Sequence, residues 1–184
     1  YDGRGNLVGS LDAEGYLTEF VYDQAHNQRA AMAYATRLTG LLGTESLSIL
    51  RPQAQSGAVR ETRGQYNALG LVTTEVNHEG TATRYTYDAQ GRLLRTESAY
   101  NRDEWQIREN NRRYDVFGNL VGELGGNASA YLSGLTEAEI DEVYATQGIR
   151  HSYDSLNRRI ESIDAEGNKT WYFYDGAGQQ THVV

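Results

Sequence analysis

A six-residue motif that begins with tyrosine and aspartate recurs seven times along the chain, and no other sequence feature constrains the fold as strongly. Internal repeats of a fixed period indicate an array of similar structural units, each stabilised by its neighbours. The motif tyrosines are Tyr1, Tyr22, Tyr66, Tyr87, Tyr114, Tyr153 and Tyr174. They lie 21, 44, 21, 27, 39 and 21 residues apart, so the repeating unit is about 21 residues long.

The second and fifth positions of the motif carry residue types that form tight turns. The second-position residues are Asp2, Asp23, Asn67, Asp88, Asp115, Asp154 and Asp175. Their side chains accept a hydrogen bond from the backbone two residues ahead, which begins a turn. The fifth-position residues are Gly5, His26, Gly70, Gly91, Gly118, Asn157 and Gly178. Glycine adopts a positive φ freely, and asparagine and histidine are enriched among the other residues that do so. The motif therefore predicts a hairpin built on a type I turn followed by a left-handed residue.

A second turn follows the first in three of the units, at residues 12–15, 77–80 and 164–167. Strands of about six residues fit between successive turns. Alternation before the tyrosines, as in Thr170, Tyr172 and Tyr174, places the repeat tyrosines on one face of a sheet, side by side across strands. We therefore predict an all-β chain of repeated antiparallel β-hairpins, which forms a coiled sheet or a segment of a shell.

Two tyrosine spacings are too long for one unit, and we expect one or two short helical insertions at about residues 37–64 and 127–150. In the later insertion, Thr136 and Glu139 match a capping box, which predicts a helix over residues 137–147 lying on the sheet.

The earlier insertion is harder to assign, because residues 30–42 have helical propensity whereas the repeat pattern requires a strand after the Tyr22 motif. We predict a strand to Thr36 and a short helical turn over residues 38–42. Residues 46–58 are predicted to form a loop around Pro52.

Composition excludes several classes of protein. The formal net charge is −8, and an acidic surface repels the phosphate backbone of nucleic acids. The chain has no cysteine, which excludes disulfides and thiolate metal sites, and no apolar stretch long enough to span a membrane. We treat residues 1–184 as one repeat array. Because residue 1 is itself a motif tyrosine, we expect the chain to begin within a longer array.

No catalytic or metal-binding motif stands out. The four histidines, His26, His78, His151 and His182, lack the spacing of metal ligands. Glu14, Glu79 and Glu166 occupy equivalent turn positions and are interpreted as solvated residues, with calcium binding beside Asp12 or Asp164 as the alternative. A Ser-His-Asp triad stays open, because its members need not be close in sequence. We predict no enzymatic site, no cofactor and no metal.

The aromatic residues allow two interpretations. Repeat tyrosines present in every unit favour packing between strands, whereas exposed aromatics can stack on sugar rings. Trp105 lies outside the repeat tyrosines in a polar stretch and is the candidate for a ligand contact.

The seven Tyr-Asp motifs resemble those of the Rhs/YD-repeat family, and the resemblance covers nearly the whole chain. The family includes bacterial Rhs proteins, the BC cocoon components of Tc toxins, and the YD shell of teneurins. The resemblance implies a long β-sheet coiled into a hollow shell, which encloses a toxin domain in the bacterial relatives and serves adhesion in teneurins. It also implies a bacterial protein that is secreted or held at the cell surface.

The leading hypothesis is therefore a structural β-shell segment that encapsulates or scaffolds a toxin or other polypeptide. Its partners would be neighbouring repeats of the same parent chain and an enclosed toxin domain. The alternative is an extracellular adhesin or filament module that binds carbohydrate or a cell-surface protein through exposed loops and aromatics.

Overall fold

The computed structural model describes residues 1–25, 27–41, 44–103, 107–126, 129 and 132–184. These residues form two compact units, Tyr1–Arg84 and Tyr85–Val184, which are described in turn. Thirteen strands lie within the described residues, and the all-β prediction is confirmed.

The first unit is an antiparallel sheet in which each strand pairs with the next along the chain. Its strands are β1 (Gly9–Leu11), β2 (Tyr16–Tyr22), β3 (Gln28–Arg37), β4 (Val59–Tyr66), β5 (Val72–Val76) and β6 (Ala82–Tyr87), the last of which continues into the second unit. Helix α1 (Leu47–Ala54) lies between β3 and β4 in sequence. The expected insertion of about 37–64 thus includes the start of β4.

The second unit repeats this architecture. Its further strands are β7 (Leu93–Ser98), β8 (Arg108–Tyr114), β9 (Leu120–Gly125), β10 (Ile149–Tyr153), β11 (Arg159–Ile163), β12 (Lys169–Tyr174) and β13 (Gln180–Val183). From β7 onward each strand is antiparallel to the next along the chain. Helix α2 (Glu137–Gln147) connects β9 to β10.

Every motif hairpin with a described register contains the same irregularity. The pairing shifts by one residue just before the motif tyrosine, so one residue of the following strand has no partner across the pair. The unpaired residues are Arg29, Thr73, Val121, Ile160 and Thr181. Each is the seventh residue after its tyrosine. A β-bulge increases the local twist, so these five hairpins share the same local irregularity at the same motif position.

The strand faces alternate as predicted. On β12, Thr170, Tyr172 and Tyr174 are half-buried, whereas Trp171 and Phe173 on the opposite face are 43% and 49% exposed. This alternation divides the sheet of each unit into a tyrosine face, which carries the repeat tyrosines, and the face opposite to it.

Helix α1 corrects two predictions. Residues 46–58 are not a loop, and residues 38–41 are not helical. Pro52 lies inside the helix and cannot donate a hydrogen bond to the carbonyl four residues earlier. The helix nevertheless forms because Leu50 and Ala54, one turn apart, are buried against Leu17 and other residues of the sheet. Tertiary packing therefore outweighs the local preference, and the predicted strand to Thr36 is confirmed within β3.

Helix α2 confirms the predicted span of residues 137–147. Glu139 accepts hydrogen bonds from the Thr136 backbone and hydroxyl at 2.7 Å each, and its own N–H donates to the Thr136 hydroxyl at 3.4 Å. The helix lies on the face of β9 opposite the repeat tyrosines, with the Tyr144 ring over Gly122. A Cβ at Gly122 would lie 2.9 Å from that ring, so the close approach requires glycine.

Candidate functional site

The Tyr-Asp turns are the most regular sites in the structure. In the turn after Tyr87, one carboxylate oxygen of Asp88 accepts the backbone N–H groups of Gln90 at 2.9 Å and Arg92 at 2.8 Å. Backbone bonds from Gly91 N to Asp88 O and from Asp88 N to Arg92 O complete the turn. The same side-chain pattern occurs at Asp2, Asp23, Asn67, Asp115, Asp154 and Asp175. It also occurs in the second turns at Asp12, Asn77 and Asp164.

The fifth motif position has the predicted left-handed backbone. The φ angles at Gly5, Gly70, Gly91, Gly118 and Gly178 lie between 75° and 91°, and that at Asn157 is 59°. The asparagine shows that the turn tolerates a side chain where the residue type accepts positive φ. His26, the remaining member of the set, lies outside the described residues.

Four repeat tyrosines bind the backbone of the preceding repeat unit of about 21 residues. Their hydroxyls donate to a carbonyl oxygen at 2.8–3.0 Å. The pairs are Tyr22 with Leu7, Tyr114 with Leu93, Tyr153 with Leu120, and Tyr174 with Arg159. In each pair the acceptor is the residue immediately after the preceding motif. The tyrosine therefore joins consecutive repeat units through a hydrogen bond as well as through ring packing.

The sixth motif position also has a defined role, which sequence reasoning missed. The side chains of Asn6, Asn27, Arg92, Asn119 and Arg158 donate to the second carboxylate oxygen of the aspartate in their own turn, at 2.6–3.1 Å. Hydrogen bonds from the backbone and side chain of this residue hold the pKa of Asp2 and Asp154 below its ordinary value of 3.8.

A visible signal for this role was present in the sequence. Where the turn begins with asparagine, as at Asn67 and Asn77, the residue four positions on is Leu71 or Thr81, neither of which carries a side-chain N–H group. An amide in place of the carboxylate could present an N–H to that donor, so the two positions are chemically matched.

Arginine at the sixth position adds a second link between consecutive repeat units. The Arg92 guanidinium lies over the Tyr114 ring, 4.9 Å from its centroid, and donates to the Asp115 carbonyl at 3.1 Å. Arg158 lies over the Tyr174 ring at 4.7 Å. Because guanidinium groups are attracted to aromatic faces, these arginines join each turn to the tyrosine of the next unit.

The first unit contains a cavity of about 590 Å³ between β2, β3 and α1. Glu19 lies in its wall with 2% of the residue exposed. The carboxylate accepts hydrogen bonds from the Tyr34 hydroxyl at 3.0 Å and from the Arg51 guanidinium at 2.6–2.9 Å. Burial and the neighbouring Glu19 raise the pKa of Tyr34, and hydrogen bonding to Glu19 raises that of Arg51. These contacts attach α1 to the sheet and supply no unpaired nucleophile or base.

The sequence also offered acidic residues, histidines and Trp105 as candidates for metal binding, catalysis or ligand contact. No group of three or more histidine, aspartate or glutamate side chains positioned for a metal ion occurs among the described residues. His151 lies with its Nδ1 2.8 Å from the Ser162 hydroxyl and its Nε2 3.8 Å from Glu123, as cross-strand neighbours within the sheet. Burial and Arg159 lower the pKa of His151. Trp105, the predicted ligand contact, lies outside the described residues.

The described helices include none with the length and apolar character that a membrane crossing requires.

Comparison with known proteins identifies the repeat. The RHS repeat family model matches residues 66–102. The toxin protein Tse5 of Pseudomonas aeruginosa is 26% identical over 145 residues, covering 65% of this chain and 11% of that protein. The tRNA3(Ser)-specific nuclease WapA of Bacillus spizizenii is 25% identical over 197 residues, covering 96% of this chain and 8% of that protein. The chain thus spans about a tenth of the length of these relatives.

Solved structures share the fold. The Photorhabdus luminescens Tc holotoxin pore superposes with a TM-score of 0.67 at 16% identity, over 100% of this chain and 8% of that one. The TcdB2-TccC3-TEV crystal structure gives 0.63 at 16% identity, over 96% and 8% of the respective chains. In its motif, its repeated turn geometry and its fold, the chain is similar to proteins of the Rhs/YD-repeat family.

Proposed function

We propose that this chain is a wall segment of a large secreted or cell-surface bacterial protein, in which a YD-repeat β-sheet encloses or scaffolds a toxin or other polypeptide. The observation that carries the proposal is the use of the motif residues. The tyrosine, the aspartate and the sixth residue hydrogen-bond within their turn or to the adjoining unit. Residues used in this way hold a sheet together, which is the requirement of a wall.

The relatives support the proposal in two ways. Tse5 is named a toxin protein and WapA a nuclease, and this chain corresponds to a small part of each. The fold recurs in Tc toxin structures. We infer that chemistry such as WapA's resides elsewhere in such proteins, and that this chain itself is not an enzyme.

Electron microscopy of the parent protein, expressed with its flanking sequence, tests the proposal. We expect a closed hollow particle with internal density. A solid particle, or an open fibre without internal volume, would reject containment.

A second candidate function is an extracellular adhesin or filament module, and the exposed aromatics Trp171 and Phe173 favour it. Glycan-array binding that is lost in Trp171→Ala or Trp105→Ala would support this function. A parent protein that binds no glycan would remove the carbohydrate form of it.

A further inference from the structure

Strands β12 and β13 carry an exposed aromatic patch, defined here as Lys169, Trp171, Phe173 and His182. Trp171 and Phe173 are 43% and 49% exposed although both are large and apolar. The Phe173 and His182 rings meet edge to face at 6.2 Å, and the Lys169 ammonium lies 5.5 Å from the centroid of the Trp171 ring. Adjacent exposed aromatics of this kind mark contact surfaces more often than isolated ones do.

The patch lies on the sheet face opposite the repeat tyrosines. Trp171 and Phe173 alternate with the tyrosines Tyr172 and Tyr174, so they lie opposite the tyrosine face. In the same unit, α2 covers this opposite face at β9, and in the first unit α1 covers the opposite face of β2. In each unit a helix is thus the observed partner of this kind of surface.

Helix α2 shows what such a partner looks like. It is acidic, with Glu137, Glu139, Asp141 and Glu142 and no lysine or arginine. It contacts the sheet through one aromatic residue, Tyr144, and through ion pairs from Arg113 to Asp141 and Glu137. The contact therefore joins an aromatic side chain with an acid–base pair between helix and sheet.

The residues around the patch offer the same combination of exposed aromatic rings and basic groups that can pair with acids. Lys169 pairs with Glu161 at 3.2 Å and retains half of its side-chain exposure. Arg150 occupies the same cross-strand row, with Ile163 opposite both Arg150 and Lys169. The Nε of Arg150 is buried and has no hydrogen-bond partner among the described residues. Arg150 as a residue is only partly buried, so its guanidinium charge adds to that of Lys169 and favours a carboxylate approaching this row from outside.

We propose that the aromatic patch is a docking site for an acidic amphipathic helix of a partner polypeptide. Its apolar side chains would cover Trp171 and Phe173, and its carboxylates would face Lys169 and Arg150. This inference rests on the proposed function, since a wall segment has a polypeptide to contact. The inference specifies the face of the second unit that makes the contact, and it specifies the partner as an acidic helix with apolar side chains.

A peptide with the sequence of residues 134–148, stapled to hold the helix, serves as the probe, because it reproduces an acidic helix that binds this sheet. Titration into the full 184-residue chain is followed by NMR, using the Trp171 indole and the ring signals of Phe173 and Tyr172. We expect shifts at Trp171 and Phe173, little change at Tyr172, and affinity weakened about tenfold or more in Trp171→Ala. Phe117→Ala is the matched control, because Phe117 is an exposed aromatic at a turn of the same unit.

Three results would overturn the proposal: equal binding by a peptide of scrambled sequence, equal binding by Trp171→Ala, or shifts confined to Tyr172. Shifts at Trp171 with cello- or chito-oligosaccharides and none with the peptide would reassign the patch to glycan binding. The titration is independent of particle shape. Peptide binding with a solid parent particle would reject containment alone, and a hollow particle without peptide binding would reject the docking site alone.

Discussion

At the residue scale, the chain is held together by a small set of polar contacts that recur along the array. The aspartate fixes the turn, the sixth residue donates a hydrogen bond to that aspartate, and the tyrosine hydroxyl donates to a carbonyl of the preceding repeat unit. Each contact involves a group that would otherwise lose hydrogen bonds to water when the strands pair. Motif identity therefore follows from hydrogen-bonding requirements as much as from burial of apolar surface.

Removing one tyrosine hydroxyl tests the link between units. Tyr153→Phe deletes the 2.9 Å hydrogen bond to the Leu120 carbonyl while keeping the ring. We expect the free energy of unfolding to fall by about 1 kcal/mol, the usual contribution of such a bond. Urea unfolding measures the change. Tyr1→Phe is the control, because Tyr1 is 83% exposed, and an equal loss in both variants would contradict the assigned role.

The match between the second and sixth positions predicts a coupling. Asp154→Asn lets the amide present its N–H group to Arg158, which can only donate, so we expect this variant to lower Tm. In an Arg158→Leu background the same change should have little effect, because Asn67 and Leu71 already form such a turn. A double-mutant cycle of thermal unfolding measures the difference. Equal effects of Asp154→Asn in both backgrounds would show that the two positions are independent.

At the element scale, the two helices show how insertions are attached to a repeat sheet. Helix α1 contains a proline and has no side-chain cap at its start, yet it forms because Leu50, Ala54 and Arg51 all contact the sheet. Helix α2 begins with a complete capping box, and only Tyr144 among its residues is buried. Long-range contacts thus specify the first helix, whereas local sequence specifies the second.

The buried carboxylate beneath α1 makes the helix sensitive to one substitution. Arg51→Ala removes the guanidinium that pairs with the buried Glu19 carboxylate and leaves Tyr34 as a neutral donor. We expect destabilisation of about 2–3 kcal/mol, below the value for a fully buried pair because half of the Arg51 side chain is solvated.

The matched control for Arg51→Ala is Arg63→Ala. The pair between Arg63 and Glu61 has similar distances, at 2.9 Å, but is exposed. We expect no measurable change there in urea unfolding. Equal losses in the free energy of unfolding for the two substitutions would show that burial of Glu19 does not increase the contribution of its ion pair.

At the scale of the whole molecule, the repeated turns sum to a collective acid sensitivity. The pKa is lowered at Asp2, Asp23, Asp88, Asp115, Asp154 and Asp164. At Asp2 and Asp154 the leading causes are hydrogen bonds from the sixth residue, and at Asp88 and Asp115 the hydrogen bonds outweigh an opposing effect of burial. A folded carboxylate with a lowered pKa stabilises the fold above its unfolded pKa, and that stability is lost as pH falls through the folded value.

Acid unfolding should therefore begin where these aspartates take up protons. We expect Tm to fall steadily once pH drops below about 4, with small changes between about pH 5 and 7. Circular dichroism melts across this range measure the profile. Asp154→Asn with Arg158→Leu should flatten it slightly, and a Tm unchanged down to pH 2 would contradict the contribution of the turns.

The sequence by itself determined the repeat, the antiparallel hairpins and helix α2. Each depends on contacts between residues close in the chain: an aspartate and the backbone two and four residues on, a left-handed glycine, a capping box. Such contacts leave a pattern that seven copies make visible. The pairing of Asp with Asn or Arg at the sixth position was also local, and could have been found by comparing the units.

Only the tertiary structure decided where α1 forms and that Glu19, Tyr34 and Arg51 meet. The contacts of Glu19 with Tyr34 and Arg51 join residues 15 and 32 positions apart, whose proximity depends on how strands pair and which face a helix covers. The aromatic patch is of the same kind, because β12 and β13 must pair before Phe173 meets His182 and the face bound by α2 is defined. Local chemistry thus specified the repeat unit, and the packing of strands and helices within each compact unit specified the surfaces that it presents.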